Sequence, residues 1–437
     1  MTAAPRVGFF GRLGSGNLGN DASLEAVLTY VRSEYPGAAL DAMCSGPERV
    51  SARYDLPATH LHWLHAPLRR SWPRLVAVAR SALRVAAGLW IDAWRTASWV
   101  RRHDVAIVPG MGILEANLVI RPWQEPYSLF LLALFGRLFR TKVALVSVGA
   151  SAIPLMSSRW LLTKTTRLAH YVSYRDEYSR QSMRRMGVRR KHEPVFPDLV
   201  FSIPTPELSV QPQSVAVGVM AYWGSIADRG RRQAIHDTYL QAMKEFVQWL
   251  LDAGHGVRLL IGDDDDEPEA REILADAQQH WAGGAAAPID FQPIFSTTAL
   301  MSRLASVETV VATRFHNVLV ALACARPTLA VAYGNKHRAL LAQMDAEEFC
   351  QDIRELDVER LKEQFTALQA DSEQIARTLT ARVRSHRERL EYQFADLTRT
   401  LFAPWAATGQ DAAGSATGQG LPLRQLAETP DSAKSRI

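Results

Sequence analysis

The run Val310-Val311-Ala312-Thr313-Arg314-Phe315-His316 continues without a break into Asn317-Val318-Leu319-Val320-Ala321-Leu322-Ala323. Its first part is apolar and β-branched, the pattern of a strand buried on both faces, and such strands belong to parallel sheets covered by helices. Its second part has apolar residues at helical spacing. Arg314 and His316 therefore fall where a strand ends and a helix begins, the crevice in which open α/β sheets bind ligands. A helix N-terminus offers unpaired N–H groups and a positive dipole end to an anion. A guanidinium and an imidazole added there suit a small, multiply charged anion such as a phosphate or carboxylate. The plain alternative is an Arg and a His that merely cap a helix.

The same alternation runs through the chain. Arg6–Phe10 reads as a strand, Gly11–Asp21 as a Gly-rich loop, and Ala22–Tyr35 as a helix with Leu24, Val27, Leu28 and Val31 on one face. Further strands are expected at Val105–Val108, Lys142–Val148 and Tyr171–Tyr174. The Pro-rich, polar stretch Ile203–Ser214 predicts a linker. A second series follows: strand Val215–Val219, helix Ile235–Ala253, strand Arg258–Ile261, a helix from Glu267, strand Val307–Ala312, a helix from Asn317 and strand Thr328–Val331. The reading is an α/β chain with two Rossmann-like, doubly wound domains facing a cleft, at 1–202 and 215–402, the latter with charged C-terminal helices from about Asp357. Residues 403–437, rich in Ala, Gly, Thr, Gln and Ser, read as a disordered tail.

A length of 437 residues accommodates two such cores. The net charge of +5 fits an anionic substrate or an acidic membrane surface and is too small to argue for nucleic acid. Cys44, Cys324 and Cys350 form neither a disulfide framework nor a zinc pattern, so a reducing compartment is expected. Met1–Val7 has no secretory pattern and no apolar run is long enough to span a bilayer, so the expected location is the cytoplasm.

Other constellations are weaker. Gly14, Gly16 and Gly19 form a Gly-x-Gly-x-x-Gly string, but the loop is long for a dinucleotide fingerprint, and the plain reading is a turn with Asn20 or Asp21 capping the helix. Arg175 opens a helix, where a cation is out of place; it marks either a ligand or a salt bridge to Asp176 and Glu177. The acidic run Asp263–Glu267 fits a solvated helix start better than a metal site, and His60, His62 and His65 lack a zinc ligand pattern, so no metal is expected. Leu68–Arg102 interleaves eight arginines with Trp72, Trp90, Trp94 and Trp99, which fits either a basic amphipathic helix at a membrane interface or a helix packed on the sheet.

Taken in order, these pieces resemble the polysaccharide pyruvyl transferase family. Gly14–Ala22 resembles its G-x-G-N-x-G-D-E-A, with Asn20 for the Asp and Asp21 for the Glu. Val108–Leu114 lies where the family has G-G-G-x-L, interrupted by Pro109 and Met111; Val146–Ala150 lies at its G-x-G-I-G-P, departing at Ser147 and Ala150. Arg175–Ser179 matches R-D-x-x-S, Pro197–Phe201 matches P-D-x-x-F, and Arg314–His316 matches R-x-H, with Tyr333 and Lys336 downstream.

The resemblance implies a fold like the GT-B glycosyltransferases, with the acceptor mainly on the first half and the donor on the second. It implies phosphoenolpyruvate as co-substrate, no separate cofactor, and a pyruvate ketal on a glycan or lipid-linked oligosaccharide in exopolysaccharide or cell-surface glycan assembly. The donor-binding set would be Arg175, Arg314, Phe315, His316 and Lys336, with His316 and Arg314 catalytic; Gly16, Asn17, Gly19 and Asp21 would serve the acceptor or its loop. Peripheral contact with the inner membrane would run through 68–102. Two alternatives stand beside this: a GT-B glycosyltransferase using a nucleotide sugar, and a non-catalytic carbohydrate-assembly protein.

Overall fold

The computed structural model describes residues 4–63, 74–115, 123–224, 226–281, 286–294 and 296–405. The first sheet holds β1 (Arg6–Gly11), β2 (Ala39–Cys44), β3 (Ala58–His60), β4 (Val105–Pro109), β5 (Lys142–Val148) and β6 (Tyr171–Tyr174). The helices that follow these strands are α1 (Leu18–Glu34), α2 (Pro47–Tyr54), α3 (Arg74–Val100), α4 (Glu125–Phe139), α5 (Met156–Leu168) and α6 (Glu177–Arg185). The second sheet holds β7 (Gln211–Gly218), β8 (Gly256–Leu260), β9 (Ile289–Phe291), β10 (Val307–Ala312), β11 (Thr328–Ala332) and β12 (Cys350–Asp352). Its helices are α7 (Arg232–Asp252), α8 (Glu267–His280), α9 (Thr297–Ala305), α10 (Phe315–Ala323), α11 (Asn335–Gln343), α12 (Val358–Ala370) and α13 (Ser372–Leu401).

All strand pairs are parallel, as their buried β-branched runs require. The first sheet has the order β3-β2-β1-β4-β5-β6 and the second β12-β11-β10-β7-β8-β9. Renumbered from its own first strand, the second sheet has the same order as the first, that of a doubly wound dinucleotide-binding sheet. The order reverses between β1 and β4 in one sheet and between β7 and β10 in the other. Loops leaving the carboxyl ends of those four strands line a crevice in folds of this kind, which predicts where the site must be.

Several boundaries shift by two to four residues from the sequence reading, and three differences matter for the architecture. α1 begins at Leu18, four residues early, because Asn17 caps it by accepting from the Asn20 N–H at 3.4 Å; neither Asn20 nor Asp21 is the cap. β7 begins at Gln211, inside the stretch read as linker. The charged C-terminal region is two helices, and α13 returns to the first sheet rather than staying with the second. Its Gln393 donates to Ser147 Oγ at 2.9 Å and Ser173 Oγ at 2.8 Å. Its Phe394 and Phe402 stack on Tyr30 and Tyr35 of the first half, with ring centroids 4.4 and 4.6 Å apart. An amphipathic helix packs where its apolar stripe finds a partner, and sequence order does not say which unit supplies it. The tail beyond 405 lies outside the described residues.

Candidate functional site

The crevice between the sheets is a cleft of about 800 Å³ lined from both halves. Its walls come from the four loops predicted by topology: Arg12–Asn20 after β1, Met111–Glu115 after β4, Met220–Gly224 after β7, and Arg314 and His316 after β10. Pro154, Arg175, Arg232, Asp263, Tyr333, Lys336 and Arg354 line the rest.

Arg314 caps α10, and His316 lies in its first turn. Lys336 lies in the first turn of α11. Both helices begin at strand carboxyl ends, so their N-termini face the cleft with these side chains. Arg175 enters from the loop after β6, buried, with its guanidinium 4.9 Å from the Phe315 ring centroid; Lys336 Nζ is 5.1 Å from the same ring. Phe315 is thus a platform between two cations. Arg175, Arg314, Phe315, His316 and Lys336, expected as one set, do come together.

The glycines explain themselves at this site. A Cβ on Gly19 would lie 1.7 Å from His316 Cδ2, one on Gly149 would lie 2.5 Å from Arg175 Cζ, and one on Gly262 would lie 2.8 Å from Arg314 Cβ. Each glycine vacates the volume that one cationic or imidazole side chain occupies. Gly19 and His316 belong to different sheets, so the lack of a side chain in α1 sets how the second half seats against the first.

The first loop otherwise departs from the sequence reading. Asn17 lines the cleft, but Asp21 is buried behind it, accepting the Gly14 N–H at 2.8 Å and facing Arg53 at 3.8 Å. Asp21 shapes the loop and does not reach the cleft, a correction to its expected role at the acceptor. Burial pushes its carboxyl above the ordinary range, against the Gly14 hydrogen bond and Arg53. Gly16 adopts φ +90°, which a side chain would resist, and lies near Arg49 and Asp264, themselves paired at 2.9 Å across the two halves.

Carboxylates that sequence reasoning missed hold the cations. Asp266, fully buried, takes Arg314 Nε at 2.7 Å on one oxygen and Arg314 Nη2 on the other. It also accepts the Ala221 N–H at 2.9 Å. The acidic run read as solvated thus ends in an orienting carboxylate, and α8 begins one residue later. Glu115 pairs with Arg175 and lies 3.6 Å from Lys336 Nζ. Burial pushes its carboxyl up, and Lys336 and Arg175 overcome that push and hold it below the usual range. Arg175 also faces Asp176 at 3.4 Å and Asp198 at 3.9 Å, so its salt-bridge reading holds as well as its place in the cleft. Within its motif, Asp176 caps α6 and Ser179 Oγ accepts the Ala150 N–H at 2.9 Å. The signal available for Glu115 was its position just past a Gly-rich loop after β4; nothing local marked Asp266 among four consecutive aspartates.

His316 is half-buried among cations. Desolvation, then Lys336, Arg175 and Arg314, lower its pKa well below that of a free imidazole, so without a bound anion it is neutral at pH 7. His337, also missed, is buried with Nε2 3.0 Å from the Thr313 carbonyl and is held neutral, at about 3, mainly by burial. It ties the α10 and α11 entries together.

Among the described residues no group of three His, Cys, Asp or Glu is placed to hold a metal ion. His60 pairs with Glu48 at 3.1 Å and His62 lies 3.8 Å from Asp92; His65 is outside the described residues. No described helix is long and apolar enough to cross a membrane.

A family model described as polysaccharide pyruvyl transferase matches residues 17–335. No curated protein matches the chain. Among solved structures, a putative UDP-N-acetylglucosamine 2-epimerase from Listeria monocytogenes is 11% identical, with a TM-score of 0.53, over 86% of this chain and 91% of that one. The UDP-GlcNAc 2-epimerase of Neisseria meningitidis, bound to UDP-GlcNAc, is 9% identical, with a TM-score of 0.52, over 85% of this chain and 93% of that one. The glycotransferase of kitacinnamycin is 11% identical, with a TM-score of 0.52, over 92% and 100%. At these identities the likeness establishes the two-domain, Rossmann-like α/β fold alone.

Proposed function

The chain belongs to the polysaccharide pyruvyl transferase family, and on that premise we propose that it moves pyruvate from phosphoenolpyruvate to a hydroxyl pair of a glycan or lipid-linked oligosaccharide. The product is a ketal, made during exopolysaccharide or cell-surface glycan assembly at the cytoplasmic face of the inner membrane. The observation that carries the reading is the meeting of Arg175 from the first half with Arg314, His316 and Lys336 from the second around Phe315. A donor bearing a carboxylate and a phosphate on adjacent atoms needs several cations and N–H donors in one place. Two helix N-termini add to that set.

In this mechanism the donor's methylene carbon takes a proton and its C2 becomes oxocarbenium-like. One sugar hydroxyl attacks C2, phosphate leaves with the C2–O bond pair, and the second hydroxyl closes the ketal; the two protons lost by the hydroxyls balance the one taken by the methylene carbon and the one carried off by phosphate. Without a bound anion His316 is neutral. An arriving phosphate offsets Lys336, Arg175 and Arg314, so His316 gains a proton on donor binding and gives it to the leaving phosphate. Arg314, oriented by Asp266, and Lys336 stabilise the charge that develops there.

A second reading, a nucleotide-sugar donor, is favoured by Asp263, a carboxylate lining the cleft that could accept from a ribose or sugar hydroxyl. The separating experiment is incubation with phosphoenolpyruvate and with UDP-GlcNAc, each with candidate glycans. Acceptor-dependent phosphate release, with a pyruvate ketal on the glycan, supports pyruvyl transfer. UDP release with no use of phosphoenolpyruvate overturns it.

A further inference from the structure

We propose that α3, α4 and α5 together form a docking face for an anionic lipid bilayer, with the cleft opening at its edge. The face itself stands on geometry and charge; the claim that it delivers a lipid-linked acceptor rests on the transferase reading.

Helices α3 and α4 pack against each other, and α4 packs against α5. Tyr127 of α4 donates to the Leu89 carbonyl of α3 at 3.3 Å, and Phe130 of α4 meets Trp160 of α5 with ring centroids 5.5 Å apart. Their inner sides are core: Trp99, Leu129, Leu132 and Leu162 are buried. Their outer sides are apolar as well. Trp90 is 80% exposed, Trp94 71%, Leu138 65%, Met156 82% and Trp160 52%. Trp90 and Trp94 are four residues apart and so share one face of α3.

The distribution is lopsided across the molecule. Of twelve large hydrophobic side chains exposed among the described residues, nine lie between Trp63 and Trp160, and none lies between Gln211 and Leu390. Scattered exposure needs no account, but a concentration of tryptophan on one layer marks an interaction surface.

The charge says which kind. Among their described side chains the three helices carry six Arg and Lys (Arg84, Arg95, Arg137, Arg159, Lys164 and Arg167) against Asp92 and Glu125, a net +4, while the whole chain is +5. This layer is thus strongly cationic for its size. Exposed tryptophan with arginine and almost no carboxylate is complementary to an anionic headgroup layer, where indoles sit at the interface and cations pair with phosphates. The sequence alone pointed to 68–102; α4 and α5 widen a single helix into a face. Pro154 lines the cleft, and Leu155 and Met156 follow it at the start of α5. An acceptor held in the membrane would meet the cleft at that rim.

The test is flotation of the full chain with phosphatidylglycerol-containing vesicles and with phosphatidylcholine vesicles, at low and high salt. Phosphoenolpyruvate titration and circular dichroism are run on the same samples. The expected result is binding to the anionic vesicles alone, lost at high salt. Trp90→Ala/Trp94→Ala and Met156→Ala/Trp160→Ala should each weaken it at least tenfold with unchanged circular dichroism. Arg159→Glu should weaken it at least fivefold. Absence of wild-type binding at low salt overturns the proposal. So does loss confined to the α3 pair, or a wild-type dimer that these pairs convert to monomer without any lipid binding. Lipid binding without phosphoenolpyruvate binding would leave the face standing and remove the donor reading; the converse would remove only the face.

Discussion

Replacing Gly19 with Ala separates stability from function in a way the structure fixes beforehand. Gly19 is the second residue of α1, and its backbone is not in the left-handed region, so alanine fits the main chain. Helix propensity alone should stabilise by about 1 kcal/mol. Against that, the new Cβ would lie 1.7 Å from His316 Cδ2, an overlap that only movement of the ring relieves. Overpacking costs about 1–3 kcal/mol, and the imidazole is the end of a side chain that can swing. The net change in stability is therefore small, between none and about 2 kcal/mol lost. Loss of a hydrogen bond to a charged ligand is worth about 1.5–3 kcal/mol, or about 10- to 150-fold in affinity. Calorimetric titration with phosphoenolpyruvate, beside thermal melts, is the assay. A melting temperature near wild type with at least tenfold weaker binding is expected, and His316→Ala should remove most further effect of Gly19→Ala. Wild-type affinity in a folded Gly19→Ala protein would refute the argument that this glycine exists to seat His316.

Other consequences follow from the same geometry. Arg314→Ala leaves fully buried Asp266 without its ion-pair partner and should destabilise by about 3–5 kcal/mol in denaturant melts, so loss of binding in that variant alone proves little. Glu115→Gln removes the anion that Arg175 and Lys336 now face, and should tighten inorganic phosphate binding about tenfold by titration. Because desolvation and the neighbouring cations hold His316 neutral and a bound anion raises its pKa, donor binding takes up a proton; below neutrality wild-type affinity should gain on His316→Gln as pH falls. Buried His337, at about 3, and His386, at about 4, stay neutral in the folded chain while the unfolded chain protonates near pH 6.5. The unfolded state then binds more protons between those values. Stability should therefore fall as pH drops below 6.5, by roughly 2 kcal/mol per histidine at pH 5, as read by urea melts.

The sequence made the alternation and the strand-to-helix junctions legible because buried parallel strands are continuous apolar runs. At the junction the strand Val307–Ala312 was placed to the residue, while the helix expected from Asn317 begins two residues earlier, at Phe315. Short edge strands such as β3, β9 and β12, three residues each, carry too little pattern to be seen. Arg175 was legible as a cation out of place at a helix start and Arg314 from its strand-to-helix junction, whereas Lys336 came only from the family resemblance. Their carboxylate partners were not legible: Glu115 is 60 residues from Arg175 and Asp266 is 48 from Arg314, and only the fold brings them together. The return of α13 to the first sheet was hidden for the same reason, since an apolar stripe does not name its partner.

The account's central claim is tested most directly by titrating phosphoenolpyruvate and UDP-GlcNAc separately into the wild type and Lys336→Met. Lys336 is partly exposed in the cleft, and on its removal Glu115 keeps its pairing with Arg175. The account predicts saturable binding of phosphoenolpyruvate, weakened at least tenfold by the substitution, and no heat from UDP-GlcNAc. Saturable UDP-GlcNAc binding with none of phosphoenolpyruvate would contradict it.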